Sequence, residues 1–211
     1  MKKRSYIFIP GILPVLFLFC TACVQAESRA LVKWVIDGDT IVLANGKKVR
    51  YQGINCPEIA HDNQPGEPFG KKALKRNIEL VKGKVVRLVY GSKRHDRFGR
   101  ILAYIFLPGG RFVNEVLVRE GLAHVCFSNK DLALNKRLLA AQKKAIRNRR
   151  GIWSIEPARP EPYYIGNRHS LRFHRPDCPF GKKIRRSNKV IFKTRLDAAY
   201  EGYCPCKKCR P

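Results

Sequence analysis

WVIDGDTIVLANGKKVRYQGINCPE, residues 34–58, decides what kind of sheet this chain can build. Trp34 to Ile36 reads as the end of a strand, Asp37-Gly38-Asp39 as a turn, and Thr40 to Leu43 resumes with β-branched residues. Asn45-Gly46 is a hairpin signal, so residues 30–54 read as short strands folded back on one another. Two carboxylates stand astride Gly38. Asp-Gly turns are common and need no ligand, so the stretch alone does not say whether Asp37 and Asp39 hold anything.

Working outward, Pro68 to Lys82 predicts a helix with Phe69, Ala73, Leu74, Ile78 and Val81 near one face and Gly83 as its stop. Lys84–Tyr90 and Ile101–Leu107 predict strands, and Gly109-Gly110 turns the chain towards Arg111–Val113. Asn114 is the expected cap of a short helix, Glu115–Glu120, and Asp131 of a longer one reaching about Asn148. Short strands interleaved with helices in this way predict an α+β fold, a small β-barrel of the OB type.

The chain of 211 residues carries 43 Lys and Arg against 16 Asp and Glu, a formal charge of +27. Well-solvated surfaces normally mix both signs. An excess of this size points to a polyanionic partner, nucleic acid before an anionic membrane surface. Residues 1–26 read as an export signal: a basic MKKR, an apolar stretch broken by prolines, and Val24-Gln25-Ala26 with small residues for cleavage before Glu27. A lipoprotein anchored through Cys23 is the alternative. Either route places the mature chain, secreted or periplasmic and without a transmembrane segment, where disulfides can form.

Residues 156–162, EPARPEP, predict a stiff extended linker between a domain at 27–155 and a small domain at 163–211. The small domain is too short to bury much core, so a metal or disulfide staple is expected in it.

Several residues downstream of Asp39 together supply what cleavage of a phosphodiester requires. VRYQGINCPE places Arg50 on a strand and Glu58 just beyond its end, and HDRFGR places Arg100 where another strand begins. Guanidinium forks match the oxygens of a phosphate that gains charge as water adds. A carboxylate can take the proton of the attacking water, and a cation held by oxygen ligands can clamp a phosphate oxygen.

In order and spacing, VIDGDT, VRYQGINCPE, PFGKKA, DRFGRILAY, VNEVLVREGLA and GIWS resemble the staphylococcal nuclease, or thermonuclease, family over roughly residues 30–155. The resemblance implies an OB-fold barrel with three helices and calcium-dependent hydrolysis of DNA and RNA. It implies that Asp39 is a calcium carboxylate with Asp37 close by, and that Cys56 lends its main-chain carbonyl. It further implies that Arg50 and Arg100 stabilise the transition state, with Glu58 the candidate base. One position departs: the family usually has aspartate where this chain has Asn55, which keeps a carbonyl oxygen but removes one negative charge from the calcium site.

In the tail, His174-x3-Cys178 and Cys206-x2-Cys209 are ligand pairs at zinc spacing, the alternative being disulfides. The segment 163–211 resembles the small metal-binding domain of the Ada-type DNA-repair methyl acceptor. There the first ligand is a cysteine that accepts the methyl group. His174 stands in its place, so the repair activity is not carried over. Cys56, Cys126 and Cys204 remain without an assigned partner, and His61, His95, His124 and His169 without a role. Residues 160–211 hold thirteen Lys and Arg against four Asp and Glu, a net +9 that suits contact with nucleic acid.

The reading is an exported, monomeric nuclease hydrolysing DNA and/or RNA, with a structural zinc ion in a basic tail that helps hold substrate. Its rival is a non-catalytic nucleic-acid-binding protein built from the same two parts.

Overall fold

The protein is described from a computed structural model covering residues 27–61, 65–127, 132–157 and 159–211. The export signal and the Asp131 cap lie outside the described residues.

The chain lays down strands β1 (Glu27–Val35), β2 (Thr40–Leu43), β3 (Lys48–Tyr51) and β4 (Ile54–Asn55), then helix α1 (Gly70–Val81). Strands β5 (Val85–Val89) and β6 (Ile101–Phe106) follow, then helix α2 (Val113–Arg119), strand β7 (His124–Val125) and helix α3 (Leu132–Arg147). Strands β1-β2-β3-β6-β5 close into a barrel. All neighbours are antiparallel except β3 and β6, which pair in parallel with Arg50 opposite Leu102. Closure leaves no open edge on these five strands. The barrel is filled from alternate strand positions, Val32, Ile41, Val49, Val86, Leu88 and Ile105 among them, all essentially buried. Beside it, β4 pairs with β7, Asn55 opposite His124.

Two local expectations are corrected. Helix α1 buries Ala73, Asn77, Leu80 and Val81, whereas Ile78 is 37 % exposed. The buried face is rotated because Asn77 turns inward to bond the 37–39 turn, a polar role that an apolar-periodicity reading does not register. Beyond the Gly109-Gly110 turn the chain makes an isolated bridge, Phe106 to Phe112, before α2 begins. Asn114 does not cap α2. It lies within the helix, where its Oδ1 accepts from the Ile105 N–H at 2.9 Å and its Nδ2 donates to the Gln52 carbonyl at 2.9 Å. One side chain thus joins the helix, β6 and the segment after β3.

The tail forms strands β8 (Tyr164–Asn167) and β9 (Arg172–His174), helix α4 (Pro179–Lys182), strand β10 (Lys189–Phe192), helix α5 (Arg195–Tyr200) and strand β11 (Cys204–Pro205). Its sheet runs β10-β8-β9-β11 over a small core of Tyr164, Phe173, Phe192, Ala198 and Tyr203. Thr194 and Asp197 start α5 with a reciprocal capping box.

This tail is docked on the barrel domain. Ala199 of α5 packs with Ala145, Ile152 and Trp153, and Leu196 joins them. Gln142 of α3 accepts from Val125 N–H and donates to the Ala199 carbonyl, spanning both parts from a buried position. Cys126 and Cys204 form a disulfide across the same junction, which pairs two of the three unassigned thiols and leaves Cys56 free and buried. The described residues after 158 do not run free. Arg175 holds the Arg159 carbonyl and the Glu161 carboxylate, each at 2.8 Å.

Asn114→Ala leaves two buried backbone groups without partners. It should lower stability by roughly 2 kcal/mol or more in urea unfolding; a change inside experimental error would show that Asn114 does not join these elements.

Candidate active site and zinc cluster

Gly38 is glycine because the 37–39 turn is pressed against Cys56 and helix α1. A Cβ there would lie 2.6 Å from Cys56 Cβ and 2.8 Å from Ala73 Cβ. The turn is pinned on both sides. Asp39 N–H donates to Asp37 Oδ1 at 2.8 Å, and Asn77 Nδ2 donates to the Asp37 carbonyl at 3.0 Å. Tyr51 O–H in turn fixes Asn77 Oδ1 at 2.8 Å. These supports orient the Asp39 side chain inward, where it is 4 % exposed.

Asp39 Oδ2 meets Arg50 Nη1 at 2.8 Å and accepts from the Cys56 N–H at 2.6 Å. Arg50 also donates from Nη1 to the Tyr51 carbonyl and from Nη2 to Asn55 Oδ1 at 2.9 Å. A guanidinium has more N–H groups than these contacts use. Burial lifts Asp39 to a pKa of about 7 even though Arg50 beside it favours the charged form. A carboxylate so placed carries more negative electrostatic demand than one arginine relieves, and a further cation would meet it.

The sequence-read residues therefore divide. Asp37, Asp39, Arg50, Asn55 and Cys56 come together around one turn. Arg100 precedes β6, the strand paired with β3, and its Nε and Nη2 both contact Asp96 Oδ2 at 2.7 Å. Burial alone would raise Asp96, but Arg100 and the Phe98 and Arg100 N–H groups hold it below the usual carboxylate range. Glu58 lies beyond β4, in the loop that leads to α1. Gly70 permits the helix to start against it, since a Cβ there would sit 2.4 Å from the Glu58 carbonyl. Glu67 Oε2 accepts from the Glu58 N–H at 3.0 Å, and the Glu58 carboxylate contacts Lys207 Nζ at 3.1 Å.

The calcium ligands implied by the resemblance fit in part. Asp39 is a buried oxygen donor, its Oδ2 shared with Arg50 and the Cys56 N–H and its Oδ1 accepting from the Thr40 hydroxyl at 3.3 Å. Asn55 as placed is not an available ligand: its Oδ1 is taken by Arg50, and its Nδ2 donates to the Cys56 carbonyl at 3.2 Å, the main-chain group expected at the ion.

In the tail, His174, Cys178, Cys206 and Cys209 bring their ligand atoms within 4.8 Å of one another. Three sulfurs and one imidazole are a tetrahedral zinc donor set. Burial and Arg172 push His174 down, towards the neutral form that ligates. Burial disfavours the Cys178 thiolate, but the Gly181 and Phe180 N–H groups at the start of α4 outweigh it and lower its pKa. Burial, with the other sulfurs close by, pushes Cys209 up to about 12. Thiolates crowded in this way need a central cation.

Comparison with known proteins accords with both parts. Residues 48–155 match the family model described as staphylococcal nuclease homologue, and residues 154–211 that of the metal binding domain of Ada. A thermonuclease of Staphylococcus hyicus is 39 % identical over 123 residues, 57 % of this chain and 72 % of that protein. An uncharacterized endonuclease of Escherichia coli is 34 % identical over 155 residues, 72 % of this chain and 92 % of that protein. Endonuclease YncB of Bacillus subtilis is 45 % identical over 96 residues, 44 % of this chain and 45 % of that protein. The barrel, the family match and the nuclease relatives thus define a nuclease-class domain. The chain belongs to the staphylococcal nuclease homologue family, with an Ada-type zinc-binding domain behind it.

Sequence reasoning missed Asn77, Tyr51 and Lys207. Asn77 was detectable as a polar residue beside the apolar face of α1. Lys207 was not, because its partner lies 149 residues away.

Two outcomes follow from the charges. The unfolded chain ionises Asp39 near 3.8 and the folded one near 7. The stability due to neutral Asp39 is therefore complete below about pH 4 and lost as pH rises towards 7. Millimolar calcium should raise the melting temperature more at pH 8 than at pH 5, and Asp39→Asn should remove that difference; equal shifts at both pH values would exclude Asp39 as a cation ligand. Metal analysis of the purified protein should find about one zinc per chain, absent in Cys206→Ser. Oxidised Cys178, Cys206 and Cys209 without zinc would establish the disulfide alternative instead.

Proposed function

We propose that the protein is an exported nuclease that hydrolyses phosphodiester bonds of DNA and/or RNA by adding water to the phosphorus, with Arg50 and Arg100 stabilising the charge that develops. The observation that carries this reading is Arg50. It is oriented by Asp39, Asn55 and the Tyr51 carbonyl, yet retains unused donors. Such a donor is fixed before substrate arrives, so little reorganisation is needed when charge develops. Arg100 would approach from the adjoining strand, exchanging Asp96 for a phosphate oxygen.

Glu58 is the candidate base. Its carboxylate would take one proton from water as the new P–O bond forms, and the ester oxygen on the opposite side would leave as its P–O bond breaks and take a proton from solvent. Asp39 and the Cys56 carbonyl would hold calcium, with Asp37 nearby. The ion, when bound, supplies positive charge beside the phosphate. Asn55 would lend its oxygen only by releasing Arg50. Export, directed by residues 1–26, would give the enzyme access to calcium outside the cytoplasm and would suit the Cys126–Cys204 disulfide.

A non-catalytic binding role is favoured by one observation, the engagement of Asn55 Oδ1 by Arg50 in place of a free acidic ligand. Variants separate the two readings. Arg100→Ala and Glu58→Gln should each lower turnover by ~10²–10³ while circular dichroism stays unchanged. Arg50→Lys should do the same with less disturbance than Arg50→Ala, which would leave Asp39 buried and unpaired. Full turnover in a folded Arg100→Ala protein would refute the catalytic assignment.

A further inference from the structure

The zinc-binding tail could have docked anywhere on the barrel domain. It docks at the candidate active site. Lys207, between the zinc-site residues Cys206 and Cys209, places Nζ 3.1 Å from Glu58 Oε1. Arg210, one residue past Cys209, places Nε 3.5 Å from Glu67 Oε1. The two glutamates belong to one loop arrangement. Glu67 N–H donates to the Glu58 carbonyl at 2.8 Å, and Glu67 Oε2 accepts from the Glu58 N–H at 3.0 Å. Asn55, Glu58, Lys207 and Arg210 line one pocket of about 250 Å³. Asn55, Lys207 and Arg210 also line an adjoining cleft of about 410 Å³ between the two domains. The groove that begins at Asn55 and Glu58 therefore has the zinc knuckle as its second wall.

Among the described residues, four cations reach this cleft, Arg175, Arg195, Lys207 and Arg210. Two are committed to the protein. Arg175 bonds the Glu161 carboxylate and the Cys209 and Arg210 carbonyls, and Arg195 donates to the Ile155 carbonyl. Lys207 and Arg210 are different. Their side chains are 64 % and 53 % exposed, and among the described residues each has a single carboxylate partner. Exposed pairs of this kind contribute little and exchange readily. Their backbone, by contrast, is fixed. Arg210 N–H donates to the Cys206 carbonyl across the ligand pair, and the Arg175 guanidinium holds the Arg210 carbonyl. Upstream, the Cys126–Cys204 disulfide anchors the same segment to the end of β7. Two mobile cations on a rigid mount, beside a site for a scissile phosphate, suit the next phosphates of a polyanionic strand.

We propose that Lys207 and Arg210 form a phosphate-binding subsite for the substrate strand beside the scissile bond. On binding they exchange Glu58 and Glu67 for substrate phosphates, which also frees the Glu58 carboxylate. The proposal rests on the nuclease reading and names both residues as positioning residues.

The test compares wild type with Lys207→Gln/Arg210→Gln on two substrates, a short single-stranded oligonucleotide and bis(p-nitrophenyl) phosphate, which carries only the reacting diester. Both side chains are exposed, so zinc content and circular dichroism should be unchanged. For the oligonucleotide, KM should rise about tenfold with kcat little changed. The salt dependence of binding should become shallower by about 0.7 per lost contact. The small diester should show no loss, since the double variant already leaves Glu58 free. An equal loss on both substrates, or no change on the oligonucleotide, would overturn the subsite. If wild type cleaves neither substrate, the nuclease reading fails by itself. Oligonucleotide affinity, measured by fluorescence anisotropy, then decides the subsite: weaker binding by the double variant supports it, and equal binding overturns it.

Discussion

The buried Asp39 carboxylate is the constraint around which the candidate site is arranged. A charge that far from water needs partners, and three neighbours supply them: Arg50, the Cys56 N–H and the Thr40 hydroxyl. Removing one partner of a buried pair costs about 3–5 kcal/mol, because the other is left uncompensated. That demand fixes Arg50 in a single orientation and draws β4 against the turn through Cys56. Gly38 permits the approach, and Asn77 reaches across from α1 to secure it. The barrel thus supplies position, and the buried charge supplies the reason to keep it.

A second arrangement, at the junction of the two domains, brings distant chemistry to the same place. The Cys126–Cys204 disulfide and the Gln142 bridge hold the tail on the barrel, and the zinc-site residues hold the tail's own shape. A domain of this size has little core, so a metal or disulfide does much of what packing does elsewhere. Here both are used, and both fix the short segment from Cys204 to Arg210. The basic surface read from composition is accordingly not spread evenly in its consequences. Two of its cations stand against the loop that carries Glu58.

Much of this was legible in the sequence. Turn chemistry at Asp37-Gly38 and Asn45-Gly46 marked the hairpins, and the alternation of apolar residues marked the barrel strands. The spacing of His174, Cys178, Cys206 and Cys209 announced the cluster that the fold assembles. What stayed hidden was polar and non-local. Asn114 looked like a helix cap because a side-chain amide preceding a helical segment usually is one; only the barrel shows that its partners are Ile105 and Gln52. The α1 face was displaced because Asn77 is buried for its hydrogen bonds, not for its hydropathy. Pairing of Cys126 with Cys204 spans 78 residues and depends on how two domains meet. The substitution at Asn55 was plain in the sequence. Its consequence, an amide oxygen already engaged by Arg50, was not.

The central claim is that this arrangement performs chemistry on nucleic acid. The most direct measurement follows strand length over time, with protein lacking residues 1–26 incubated with DNA and with RNA. It is run in calcium and in a calcium-selective chelator that leaves zinc in place. The account predicts shortening of at least one nucleic acid in calcium and none in chelator. Tight binding of both, with no shortening under either condition, would contradict it.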